Sequence, residues 1–150
     1  MKGATMNRVA RNLIAALCVA VTSTVAWAGD AFDGKTNLLC TVQQLHECDS
    51  FTGCRALDVD VALPLQHLAV DFKNRAVALH GLEADLSSSI SGVASIEGQL
   101  IVQGTDTGLK DETDGGGWTM AINQTYGSLL LTVAGHDVAF VGMGNCVTAR

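Results

Sequence analysis

The side chains of this 150-residue chain that could do chemistry are five cysteines, four histidines and fifteen carboxylates. Three of the cysteines fall in the stretch LLCTVQQLHECDSFTGCR, as Cys40, Cys48 and Cys54. Seven residues separate the first two and five separate the next two. Structural zinc sites want pairs roughly two to four residues apart, and redox pairs want about two, so neither chemistry has its spacing. His67 and His80 could share half of a transition-metal site across a hairpin, but Asp71 stands too far along its strand to complete one. His46 and His136 fall in loops without a third ligand nearby in sequence. Asp106, Asp111, Glu112 and Asp114 in the segment 105–117 offer the hard oxygens calcium takes, yet the spacing of a calcium loop is missing. A solvated acidic loop is the simpler reading, and no metal or cofactor is expected.

Hydrolytic motifs are also missing. The chain has no G-x-S-x-G elbow, no H-E-x-x-H and no glycine-rich phosphate loop; LHECD contains His-Glu but no second histidine. No catalytic residue is therefore assigned, and a non-catalytic role is expected.

The N-terminus sets the compartment. Lys2, Arg8 and Arg11 precede an apolar run from Leu13 to Ala26, and Ala26-Trp27-Ala28 supplies small residues for a signal peptidase. The run is shorter than the ~20 residues of a spanning helix. Leu17 is too bulky to make Cys18 a lipoprotein cysteine. The expectation is a signal peptide over 1–28, cleaved near Ala28, and a single domain over 29–150 in the periplasm or outside the cell. Cys18 leaves with the leader, and an even count of cysteines in a small exported chain reads as disulfides. Four cysteines allow three connectivities. A ring closed by Cys48 and Cys54, with Gly53 letting the chain turn, is favoured; it leaves Cys40 to pair with Cys146. Cleavage also leaves six basic residues against fifteen acidic ones, a formal charge of −9. Such a surface repels phosphate backbones, so nucleic acid is not an expected partner. Nothing in the mature chain is long and apolar enough for a membrane span.

The elements that must position these residues are strands. HLAVDFKNRAVALH alternates around a turn at Lys73-Asn74, which sets Leu68 against Leu79, Val70 against Val77 and His67 against His80. GVASIEGQLIVQG gives two more strands around Glu97-Gly98. In WTMAINQTYGSLLLTVAGHDVAFVGM, a loop over Gln124–Gly127 pairs Trp118 with Val133, Met120 with Leu131 and Ile122 with Leu129. A two-residue turn at Gly135-His136 would then pair Val133 with Val138 and Leu131 with Phe140. These residues share one face, the expected core. About eight antiparallel strands with disulfide-joined ends make an all-β meander, an up-and-down barrel or a strongly curved sheet, with a two-sheet sandwich as the alternative. On the opposite face Ala121, Leu130 and Val141 would form one apolar row, with Ala139 and Met143 beside it, a candidate interaction patch.

Leu39-Cys40 with Cys48 and Cys54, Leu63-Pro64 before Val70-Asp71-Phe72, and Gln103-Gly104 form a series along the chain. Gly117-Trp118-Thr119, Gly127-Ser128-Leu129, Ala139-Phe140-Val141 and Gly144-Asn145-Cys146 continue it. The series resembles a group of small exported proteobacterial proteins with no assigned activity. That resemblance implies export and paired cysteines, and it transfers no catalytic residue. The function expected is a binding or interaction module for a protein or envelope component, with a homodimer as one form of contact. The alternative is a small-molecule carrier holding its ligand in the barrel mouth.

Overall fold

The computed structural model describes residues 31–58, 66–80, 86–106 and 116–149. The segment expected to be a signal peptide, 1–28, and most of the acidic loop lie outside these residues. Nine strands form one antiparallel sheet: β1 (Leu38–Asp49), β2 (Gly53–Leu57), β3 (His67–Asp71), β4 (Ala76–His80), β5 (Leu86–Ile96), β6 (Gln99–Asp106), β7 (Gly116–Asn123), β8 (Ser128–Ala134) and β9 (Val138–Thr148). From β3 to β9 each strand pairs with the next in sequence, and β1 pairs with both β3 and β9. Eight strands thus close on themselves, which excludes the open sheet and the sandwich. β2 is extra: it folds back on the far half of β1, beside the barrel.

Local turn chemistry explains much of this order. Glu97 and Gly98 both have positive φ, 48° and 80°, in a two-residue turn between Ile96 and Gln99. That is the type I′ geometry whose twist matches the flanking strands. The β3–β4 pairs are those the alternation predicts, including His67 opposite His80. In their turn Arg75 takes the left-handed backbone, with φ 54°. Its guanidinium Nε and Nη2 donate to the carbonyls of Ile90 and Ser91, at 3.1 and 2.8 Å, which ties the turn to β5.

The β7–β8 register is also as predicted, but the β8–β9 register is not. The chain turns over Gly135–Asp137 and pairs Ala134 with Ala139, so Val133 faces Phe140 and Leu131 faces Gly142. A slip of two residues keeps every side chain on its own face, so the core list survives while its partners change. Trp118, Met120, Ile122, Leu129 and Leu131 are buried; Val133 packs against them and Val138 and Phe140 are half-buried.

Both predicted disulfides are present. Cys40 and Cys146 lie opposite each other on β1 and β9 inside the barrel, with Sγ–Sγ 2.03 Å. Cys48 and Cys54 bridge β1 and β2 at 2.06 Å, so the predicted ring is the tip of a hairpin.

One end of the barrel is closed. The chain before β1 turns under it and inserts Phe32, which is buried against Gly127. Gln124 Nε2 donates to the Phe32 carbonyl at 2.9 Å, and Asp33 Oδ1 accepts from the backbone N–H groups of Lys35 and Thr36. Phe32→Ala should empty this plug and cost about 3 kcal/mol, read as a lower urea midpoint at unchanged slope. An unchanged midpoint would show that the plug contributes nothing to stability.

Candidate functional site

Strand alternation gives the barrel an apolar interior and a mostly polar outer wall. This reverses the apolar-out, polar-in pattern of membrane barrels. No helix among the described residues is long and apolar enough to cross a membrane. From β5 to β9 the outward positions hold serine, threonine, asparagine, glutamine, glycine and apolar residues, and no Asp, Glu, Lys or Arg. Depletion of charge with Leu and Met left in place is the composition of an interface centre.

The apolar row is longer than the sequence suggested and differs in one member. Ala94 faces Ile101, Ile101 faces Ala121, Ala121 faces Leu130, and Leu130 faces Met143. Val141 is displaced from it: the longer β8–β9 turn sets it opposite Thr132, two residues along the same outer face. Leu130 and Met143 are 45% and 38% exposed. A second outward pair, Leu39 and Val147, faces across the β1–β9 seam at 48% and 61% exposure. Four large apolar side chains therefore stand on a wall formed by β1, β8 and β9.

The other end of the barrel is a mouth. Leu68, Val77, Leu79, Trp118, Leu131 and Val133 surround a cavity of about 70 Å³, with Ser88 and Met120 completing the lining. Its polar atoms are already partnered. Trp118 Nε1 donates to Ser88 Oγ at 2.7 Å, and Ser88 Oγ donates to the Thr105 carbonyl at 3.0 Å. Past its pairing with β3, β1 runs on beside β9 and carries β2 on its other edge, and these two strands form an arm. Glu47 on this arm is opposite Phe140, in the same cross-strand row as Trp118 and Val133. Two residues from the buried Leu45, it is on the strand's inward side. It pairs with Arg55 at 3.0 Å.

The remaining titratable groups are structural where their surroundings move them. The Thr52 hydroxyl, followed by the backbone N–H groups of Thr52 and Phe51, holds the Asp49 carboxyl below its usual range. The backbone N–H of Asn74 lowers Asp71, and that of Thr36 lowers Asp33. All three are turn acceptors, the role Asp commonly plays in tight turns. Thr41 Oγ1 and His67 Nδ1 are 3.5 Å apart. No group of three or more His, Cys, Asp or Glu among the described residues is placed to hold a metal ion.

Sequence reasoning anticipated both disulfides and named a barrel mouth as the seat of a carrier's ligand, without identifying the residues that line it. The signal for the mouth was the pairing of Trp118 with Val133, which needed only the direction of the strands to place it at an open end. No family model matches this chain, and neither a curated protein nor a solved structure matches it.

Proposed function

We propose that the chain is exported and acts, without catalysis of its own, as a binding module that docks a protein or another envelope component through its outer wall. The observation that carries this reading is the uncharged apolar row centred on Ala121, Leu130 and Met143, beside the exposed pair Leu39 and Val147. Apolar side chains of this size on a charge-free surface gain free energy only when a partner covers them. Two disulfides in so short a chain support an oxidising compartment, as do the basic and apolar N-terminal residues. The resemblance to small exported proteobacterial proteins points the same way. A carrier role is supported less well, because ligand pockets usually enclose ~300–1,000 Å³ and the cavity at the mouth holds about 70 Å³.

The test is a charge placed in the row. Leu130→Glu should leave the fold and its urea midpoint within about 0.5 kcal/mol of wild type, because Leu130 faces outward on a central strand. A photo-crosslinker at position 143 should capture a defined partner in the wild-type envelope and lose it in Leu130→Glu. Failure of Leu130→Glu to fold would show that the residue carries structure instead. An undiminished crosslink in a folded Leu130→Glu protein would rule out the wall as the docking surface.

A further inference from the structure

Charge is distributed very unevenly between the two ends of the barrel. At the plugged end, Asp33, Asp71 and Glu97 are balanced by Lys35, Lys73 and Arg75. At the mouth end are Glu47, Asp49, Asp58, Asp106 and Asp137, with Arg55 the one Lys or Arg among the described residues there. The connections that leave and return at this end carry six more carboxylates in sequence, Asp60, Glu83, Asp85, Asp111, Glu112 and Asp114, against Lys110. Among the described residues, five carboxylates against one guanidinium therefore stand at the end that carries the apolar opening.

The size of that opening selects the occupant. At about 70 Å³ it has roughly half the volume of an engineered 150 Å³ cavity that accepts benzene, so it admits about three or four carbons. A free molecule that small gains too little by burial to bind well, at ~0.8 kcal/mol per methylene. A single aliphatic side chain presented by a larger partner fits the same space, and its neighbours would have to tolerate the carboxylates. We infer that the mouth is a socket for one aliphatic side chain on a lysine- or arginine-rich segment of a partner protein. The side chain seats on Leu79, Trp118 and Val133 while the basic flanks lie along Glu47 and the arm. The cavity supplies the anchor, and the acidic end raises the encounter rate with a basic partner. This site is separate from the outer wall and does not depend on it.

The experiment uses the mature disulfide-bonded protein and the probe acetyl-Lys-Lys-Leu-Lys-Lys-amide. Backbone amide shifts are followed by NMR, and the indole emission of Trp118 by fluorescence. The expected result is saturable perturbation at Leu79, Trp118 and Val133. Affinity should fall at least tenfold when the probe's leucine is alanine and be lost when its lysines are glutamates. Glu47→Lys should weaken binding at least threefold, and Val133→Phe, which fills the cavity, should abolish it. Glu47→Lys lies on the half-exposed arm, so the test survives a Val133→Phe protein that does not fold. Equal affinity for leucine and alanine probes overturns the socket, and equal affinity for lysine- and glutamate-flanked probes overturns the basic partner. Leu130→Glu should leave probe binding unchanged. If it removes the perturbation, the peptide sits on the wall and the mouth assignment fails, whereas loss of the envelope crosslink alone bears only on the wall.

Discussion

Replacing Cys40 and Cys146 together by alanine should destabilise the domain by about 4–5 kcal/mol, the largest loss expected from removing any covalent link in it. The two residues are separated by 106 positions, so the bond closes nearly the whole domain in the unfolded chain. The chain-entropy relation makes the cost of opening such a loop grow with the logarithm of its length. In the folded state the bond adds little new geometry, since β1 and β9 already pair from Leu38–Thr148 to Asp49–Val138. Both cysteines are also buried, so alanine leaves two sulfur-sized gaps in the core. The comparison that isolates loop length is the double alanine replacement of Cys48 and Cys54. These lie six positions apart, which the same relation places at about 2 kcal/mol. Urea unfolding of the two variants should therefore separate by about 2 kcal/mol or more, with the Cys40–Cys146 variant the weaker. Equal midpoints would refute the loop-closure account of the seam.

What the sequence reveals of this fold follows the physics of two-stranded units. The β3–β4 and β7–β8 hairpins were legible because strict alternation and a short loop leave one register that keeps Val70, Val77, Met120 and Leu131 on the core side. The β8–β9 register was not, because turns differing by two residues put the same side chains inside. That ambiguity left the core list intact and misplaced Val141 in the outer row, where face alone does not decide the neighbour. β2 was hidden for another reason. GCRAL is mostly exposed and lacks a clean apolar alternation, and it becomes a strand because the Cys48–Cys54 bond and the Glu47–Arg55 pair hold it against β1. Phe32 carried no periodic signal at all. Its role as a plug depends on Gly127 and Gln124, about ninety residues away, and no local pattern encodes that contact. The mouth has the same origin: its lining comes from five strands, and only barrel closure brings them together.

Gly104→Ala is the second large effect expected, at about 3–5 kcal/mol from overpacking together with a lost buried hydrogen bond. Gly104 is buried on β6 and faces Trp118 on β7 and Ile90 on β5. The Trp118 ring, at Cζ2 and Cε2, and the Ser89 carbonyl both occupy the space a Cβ would need there. The carbonyl belongs to a strand, so β5 and β6 must part locally, and the indole must move as well. Moving it pulls Nε1 away from Ser88 Oγ, and a buried N–H left without its acceptor costs ~1–3 kcal/mol by itself. Gly92→Ala on β5 is the matched control, because the nearest atom to its added Cβ is the Gln103 Oε1 at 3.6 Å, an ordinary contact with a side chain that can swing aside. The variants should differ strongly in urea midpoint, and only Gly104→Ala should change the near-ultraviolet circular dichroism of Trp118. The same ring lines the mouth, so a Gly104→Ala protein that still folds should also lose the lysine-flanked leucine probe. A Gly104→Ala protein as stable as Gly92→Ala would show that the indole is free to relocate and that the cavity it lines has no fixed shape.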